Sequence, residues 1–520
     1  MKRRYSYKAG EKTIEREYNY IPVRYIIAVF LTVLEIAAIL AIVVALCYYV
    51  PYFYIAAFFT QVFCVVKIVS SDDNPDYKVP WLLFVMLVPI AGFMLYFLFY
   101  SRKLQRKYIK RLKELKNEGY QKDDAALFAA LRAEDPAAYG QAKMLTDVAE
   151  AHLFTNTKQT YYPLGEDMHE ALLLDLQAAE KFIYLEYFII EEGKFWDSML
   201  DILLKKAAEG VDVRVVYDDI GCMMTLPGNY AKRLRARGIK ATPFSRLRGN
   251  ADGEFNNRSH RKILVIDGKV GYTGGVNIAD EYINETVRFG HWKDTAIRLE
   301  GEAVWELTKL FLVDFGIQMK RIPACTVDLF PTQPDIREGG YLIPFGDGPR
   351  PLYDHRVGKS VIQNLLASAR EYVYMTTPYL IIDNDLCQDI ENAAMRGVKI
   401  KIIIPHIPDK KLVFEATKSF CARLRRAGVE IYEYRPGFIH AKSYVADGKY
   451  AMIGTINLDY RSLVHHFENG VWMYDCAAIR DLEADILATL RDCVPFEEGK
   501  RVSLPRRILR ALVRIFAPML

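Results

Sequence analysis

The chain reads as an α/β protein built from two copies of one domain and preceded by helices that enter a membrane. Three observations predict this. Hydrophobic residues make up 51% of the sequence and are concentrated before Tyr100. From about Tyr161 onward, stretches with helical spacing alternate with short runs of period two, the pattern of helices layered on a sheet. Three blocks of that region then return, in the same order, later in the chain.

At 520 residues and 59.8 kDa the chain exceeds what one core organises. It divides into a membrane region (1–100) with two or three apolar spans, a basic juxtamembrane helical connector (101–157), two α/β halves (158–330 and 331–500) and a basic amphipathic C-terminal helix (501–520). Eight cysteines, none in a CxxC pair or a Cys/His cluster, argue against structural zinc and a disulfide framework and fit a reducing compartment.

The first apolar run, 25–48, is broken only by Thr32 and Glu35 and exceeds the 20 or so residues a bilayer requires. No small-residue cleavage site follows it, so a removable signal peptide is not expected. The second run, 52–66, is shorter and contains Gln61. The third, 79–100, is the clearest, with Trp81 and Tyr100 near its ends and Pro89 and Gly92 inside. Directly after it, 101–116 carries eight Lys/Arg against Glu114, a net of +7. Basic residues beside a span mark its cytoplasmic side. The flank before the first run is basic as well, which suits two spans better than three and makes the middle run re-entrant or partial.

The repeat supports the two-domain reading. AAEKFIYLEYFII (178–190) matches SAREYVYMTTPYLII (368–382), and KKAAEGVDVRVVYDD (205–219) matches ENAAMRGVKIKIIIP (391–405). The third pair, SHRKILVIDGKVGYTGGVNIADEY (259–282) and IHAKSYVADGKYAMIGTINLDY (439–460), carries the chemistry. His260, Lys262, Asp267, Gly274 and Asn277 stand at offsets 0, +2, +7, +14 and +17; His440, Lys442, Asp447, Gly454 and Asn457 repeat all five.

An imidazole and an ammonium two residues apart on a strand point to the same face. A neutral imidazole can attack phosphorus, and lysine supplies compact positive charge for phosphodiester oxygens. Asparagine adds a neutral donor. Asp267 and Asp447 complete the catalytic motif by position, yet each precedes a glycine in a hairpin turn, so a turn role is the preferred reading. A nucleophilic histidine needs a partner that fixes its tautomer. Asp294, in HWKDTAIRL, and Glu468, in HHFENGVW, are the two candidates, one for each histidine. The lysine pair takes the place of a cation, so no metal or other cofactor is expected. His465 and His466 are adjacent and lack ligand spacing.

The paired HxKxxxxD motifs, with GG or GT and Asn downstream, resemble those of the phospholipase D superfamily. SDDNPDYKVPWLL, HWKDTAIRLEGEAV, GDGP, TPYLIID and FENG extend the resemblance over essentially the whole chain, to the bacterial cardiolipin synthases. Ser259 and Phe315 depart from the family, which often has Asn and Trp there. The resemblance implies a duplicated phospholipase D-type α/β fold, its two sandwich halves related by a pseudo-twofold and sharing one active site. It implies transfer of a phosphatidyl group between two phosphatidylglycerols through a phosphohistidine. By that analogy His260 is the nucleophile and His440 the acid/base, while Lys262, Lys442, Asn277 and Asn457 hold the phosphate oxygens. It also implies a multi-pass protein of the bacterial cell membrane, with the catalytic halves on the cytoplasmic side.

The same motif chemistry also fits a hydrolase that releases phosphatidic acid, transfer to another alcohol, or a nuclease. A nuclease calls for an extended basic groove; here the basic segments cluster beside the spans and at the C-terminus, so the expected partners are phosphatidylglycerol and anionic membrane lipid, not nucleic acid. A catalytically dead scaffold is disfavoured by two intact motifs. The C-terminal segment 501–520 has five arginines and no acid, and it fits either an anionic lipid surface or docking of its apolar face on the protein.

Overall fold

The structure, a computed structural model, describes residues 2–9, 12–19, 23–49, 52–71, 73–99, 106–110, 124–246, 256–319, 329–331, 333, 336, 338–350, 352–353, 355–497 and 503–519. A hairpin of β1 (Lys2–Ala9) and β2 (Lys12–Asn19) leads into α1 (Val23–Tyr49). At about 1.5 Å per residue its 27 residues reach ~40 Å. No residue of the stretch Val29–Leu46 is buried in the protein, and the stretch is long and apolar enough to cross a bilayer.

Then come α2 (Phe53–Val69), α3 (Pro75–Leu87) and α4 (Pro89–Phe99). The third apolar run is therefore two short helices, not the clear single span the sequence predicts. Pro89 has no N–H and forces its predecessor out of helical geometry, and Val88 indeed sits at φ −134°, ψ 77°. At Gly92 a Cβ would lie 2.8 Å from the Val85 Cα, so α4 folds tightly back on α3. Cys64, Ile68, Val85 and Tyr96 form a small core between α2, α3 and α4. Among the described residues, α1 alone is long and apolar enough to cross a bilayer.

The first half forms from β3 (Thr157–Tyr162), β4 (Phe182–Tyr187), β5 (Asp212–Asp218), β6 (Lys240–Phe244), β7 (Lys262–Ile266), β8 (Val270–Gly274), β9 (His291–Lys293) and β10 (Ala296–Gly301). All but β9 join one sheet in the order β3-β10-β8-β7-β4-β5-β6. The second half has β11 (Tyr341–Asp347), β12 (Tyr372–Thr376), β13 (Leu380–Ile381), β14 (Lys399–Pro405), β15 (Glu430–Tyr434), β16 (Gly437–Ile439), β17 (Ser443–Ala446), β18 (Tyr450–Gly454), β19 (Leu458–Asp459), β20 (Glu468–Tyr474) and β21 (Cys493–Pro495). Its sheet runs β11-β20-β18-β17-β12-β14-β15-β21. Position for position this is the first sheet again, with β21 added at one edge.

Both sheets are mixed. The β4–β5 and β12–β14 pairs are parallel, joined through helices Lys194–Ala208 and Asn384–Met395, whereas β7–β8 and β17–β18 are antiparallel hairpins. The central strands bear apolar residues on both faces, as sheets covered by helices require. Helix Val304–Gln318 lies between the halves and is buried on nearly every side.

The C-terminal helix Leu504–Phe516 docks on the second half, which favours the docking alternative for its inner face. Val513 and Ala517 enter the core, Arg510 pairs with Glu415 at 3.1 Å, and Arg514 lies over the Phe420 ring. Leu504, Ile515 and Phe516 remain exposed. Most of the basic stretch 101–116 lies outside the described residues. Within it, Tyr108 is fully buried, stacked on Phe467 with its hydroxyl 2.7 Å from Arg261.

Candidate active site

Each motif histidine arrives on a strand entry that is hydrogen-bonded to the opposite half. His260 precedes β7; its N–H donates to Phe467 O at 2.8 Å, and Phe467 N–H donates to Arg258 O. His440 follows β16, which pairs in parallel with β9 of the first half, and its N–H donates to Lys293 O at 2.7 Å. The two bridges are equivalents under the pseudo-twofold, so folding of either half alone leaves both histidines unplaced.

The acids follow the same bridges. His260 Nδ1 lies 2.9 Å from Glu468 Oε2, and His440 Nδ1 lies 2.6 Å from Asp294 Oδ2. The sequence nominated both acids without assigning them; the structure assigns each to the histidine of the other half. Burial opposes ionisation of Glu468, but the charge and hydrogen bonds of His260 win and hold it well below the usual carboxylate range. Asp294 is lowered in the same way, against burial, by Lys442, His440 and the Thr295 N–H. An ionised acid only accepts, so Nδ1 carries the hydrogen in both histidines and Nε2 keeps its lone pair.

Burial is the main reason both imidazoles resist protonation, His260 being pushed down to about 3 and His440 to about 4. The lysines are also depressed, first by burial: Lys262 to about 7, where Lys442 adds repulsion, and Lys442 to about 8. Lys262 Nζ donates to His260 O at 2.8 Å, and Lys442 Nζ donates to His440 O. Lys442 Nζ also lies 2.7 Å from His440 Nδ1. With that nitrogen protonated toward Asp294, the contact is a crowding of like donors. With both imidazoles neutral, a phosphodiester anion entering the site would favour the charged form of both buried lysines.

Asp267 and Asp447 are corrected from catalytic to structural. They stand at the far ends of β7 and β17 from the histidines, at φ +54° and +53°. The Asp267 carboxylate accepts the N–H groups of Glu180, Lys181 and Phe182; Asp447 accepts those of Arg370, Glu371 and Tyr372. Each aspartate ties the hairpin turn to the start of the neighbouring strand, as the turn reading anticipates.

Asn277 and Asn457 are buried and differ. Asn277 accepts from Ile189 N–H at 3.1 Å and donates to the Tyr282 hydroxyl at 2.8 Å, leaving one amide hydrogen. Asn457 Oδ1 has no hydrogen-bond partner. The GG and GT variants of the motif also acquire distinct roles. A Cβ at Gly275 would fall 1.9 Å from Asp294 Oδ1, so glycine makes room for the acid, whereas Thr455 donates its hydroxyl to Glu468 Oε2.

Sequence reasoning missed the aromatic and imidazole lining. Phe188 packs on His260, Tyr282 and Trp292 on His440, and His466 on His260. The signal available was position: Trp292 and His466 each stand two residues before the acid. His260, His466 and Glu468 also bring donor atoms within 4.8 Å of one another, although the His260–Glu468 hydrogen bond already uses two of them.

Two stretches, 172–288 and 362–489, match the family model described as "Cardiolipin synthase, PLD-like domain", and 60–99 matches "Phospholipase D-nuclease N-terminal". A cardiolipin synthase of Geobacillus kaustophilus is 32% identical over 473 residues, which cover 88% of this chain and 92% of that one. The chain belongs to the cardiolipin synthase family of phospholipase D-like proteins. It is an enzyme of the phosphatidyltransferase class. A Streptococcus mutans protein of uncharacterised function is 41% identical over 466 residues, covering 88% of this chain and 99% of its own. The fold also matches a phosphatidylserine synthase of Haemophilus influenzae, with a TM-score of 0.55 at 16% identity over 73% of this chain and 98% of that one. Both motif histidines, both lysines and Glu468 lie within the two stretches that match the family model, and Asp294 lies just beyond the first.

Proposed function

We propose that the enzyme is a cardiolipin synthase that moves a phosphatidyl group from one phosphatidylglycerol to another. The observation that carries this reading is the pair of cross-half His–carboxylate contacts, which leaves two Nε2 atoms with opposite tasks in one buried, lysine-lined site. Nε2 of His260 attacks the phosphorus of the first lipid, forming a P–N bond as the P–O bond to the terminal glycerol breaks. His440, which takes up a proton at Nε2 when the anionic phosphodiester binds, gives that proton to the departing glycerol oxygen. The hydroxyl of the second phosphatidylglycerol then returns a proton to His440 and attacks phosphorus. The P–N bond breaks, and cardiolipin leaves with His260 restored. Lys262, Lys442, Asn457 and the remaining Asn277 amide hydrogen hold the phosphate oxygens, where fixed donors act most strongly on developing charge.

The support for a lipid substrate is the N-terminal region. In this reading α1 crosses the bilayer and α2, at ~26 Å for 17 residues, returns with slight local thinning. The basic residues on both flanks then lie on the cytoplasmic side with the catalytic halves. Wild type, His260→Ala and His440→Ala are compared in vesicles containing labelled phosphatidylglycerol. Cardiolipin plus glycerol from wild type alone is expected, with label trapped on the protein in His440→Ala; phosphatidic acid as the sole product overturns the synthase reading.

A further inference from the structure

His466 lies in the site without a role in the chemistry derived above. Its side chain is only 7% exposed, and its Nδ1 has no hydrogen-bond partner. That nitrogen faces Glu468 Oε1 at 3.6 Å, and its ring lies 5.5 Å from the His260 ring at 41°. Phe188 packs against both imidazoles. The backbone N–H of His466 donates to Arg461 O, which closes the single π-helical turn Arg461–His465. Such turns recur at functional sites because they re-aim the residue that follows.

The pseudo-twofold supplies an internal control. The residue equivalent to His466 is Trp292, whose ring lies 5.6 Å from His440 at 45°, nearly the same stacking. One acid–histidine pair therefore has an imidazole as its third member and the other an indole. Around His466 stand His260 across the half boundary, Glu468 on β20, and Asp459 and His465 on the segment before it.

We propose that His466 is a positioning residue for the transfer step: with its hydrogen on Nδ1 it donates to Glu468 Oε1, pinning the carboxylate that orients His260. The proposal rests on His260 as the nucleophile. Glu468 has two oxygens to be held. Oε2 takes the Thr455 hydroxyl and, at 2.9 Å, the His260 Nδ1–H; Oε1 shares that same hydrogen at 3.0 Å, and His466 Nδ1, 3.6 Å away, can give it one of its own. A donor there also lowers the basicity of Glu468, which keeps the proton on His260 Nδ1 and the lone pair on Nε2 as the P–N bond forms. No counterpart is needed at His440, whose Asp294 is braced by the Thr295 N–H at 2.9 Å.

The test uses full-length enzyme in phosphatidylglycerol vesicles, comparing wild type with His466→Asn and His466→Phe. Asparagine keeps an N–H donor near Glu468; phenylalanine fills the space without a donor. His466→Phe is expected to lower kcat by about tenfold to a hundredfold with KM little changed, the usual scale for a misplaced reacting group. His466→Asn is expected to keep most of kcat. A His466→Asn enzyme as slow as His466→Phe, or an effect confined to KM, overturns the proposal. Product identity is read in the same assay. Phosphatidic acid from wild type defeats the synthase reading, while the comparison of the two variants still decides His466, because both reactions pass through His260.

Discussion

Glu468 opens β20 in the second half, and its carboxylate holds Nδ1 of His260, in the first half, at 2.9 Å. Asp294 holds His440 in the reverse direction. Neither half contains a complete histidine–acid pair. The active site is a property of the interface, and the backbone bridges at Phe467 and Lys293 set its geometry before any side chain acts.

Glu468→Gln keeps size and shape but cannot hold the imidazole in the required tautomer. By analogy with other acid–histidine pairs, kcat falls by roughly 10³–10⁴-fold while the fold survives. Transfer rates in labelled vesicles, alongside an unchanged far-ultraviolet dichroism spectrum, check this.

Gly275→Ala places a methyl 1.9 Å from where Asp294 Oδ1 stands, and something must move. The movable group is the acid, so the His440–Asp294 contact is lost. The expected result is a loss of activity of about a hundredfold or more, measured as steady-state glycerol release. The matching change Thr455→Gly removes one donor to Glu468 and costs less.

Lys262 and Lys442 sit at about 7 and about 8 in the free enzyme, both depressed mainly by burial. Deprotonation removes the charge that holds the phosphate, so kcat/KM, which reports the free enzyme, falls as pH rises through this range. A bound phosphodiester anion favours the charged forms and moves both values up. The alkaline limb of kcat therefore lies at higher pH than that of kcat/KM. Coincident limbs in the two profiles contradict the assignment.

Asp267→Ala strips acceptors from three backbone N–H groups without touching the reacting groups. Leaving buried donors unmatched costs about 1–3 kcal/mol each at most. The expected outcome is a clear drop in thermal stability with kcat of the folded fraction near wild type. A large fall in kcat at unchanged stability contradicts the structural assignment.

The first turn of α3 is clamped to the second half. Asp76 Oδ2 accepts from Tyr460 O–H at 3.0 Å and Asn384 N–H at 2.9 Å, and Tyr77 O–H contacts His465, one residue from His466. Asp76→Ala is expected to speed amide hydrogen exchange across Tyr460–His466 several-fold, read by mass spectrometry. Unaltered exchange there shows that the clamp is not what orders this turn.

Much of the fold was legible because a duplication writes itself twice. Strand order in the two sheets follows from three repeated blocks, and His260, Lys262, His440 and Lys442 follow from two sets of identical offsets. The turn aspartates were legible from the Asp-Gly pairs alone. The third apolar run was misread as one span because its hydropathy is continuous. A single proline interrupts the backbone hydrogen-bond ladder without interrupting the apolar composition, and hydropathy does not register that. His466 was passed over because adjacent histidines on a regular strand diverge, and the π-helical turn that delivers it is not a periodic pattern.

The sequence by itself determined which residues are candidates for the chemistry, that they come in two sets, and that apolar helices precede the α/β halves. These are one-dimensional facts, set by composition, period and spacing. The tertiary structure alone decided that Glu468 serves His260 and Asp294 serves His440, that Asn277 is partly occupied by Tyr282, and that Trp292 and His466 break the symmetry. The reason is physical: each pairing depends on how the two sheets meet, through hydrogen bonds between residues 146 and 208 positions apart. No local propensity encodes that distance.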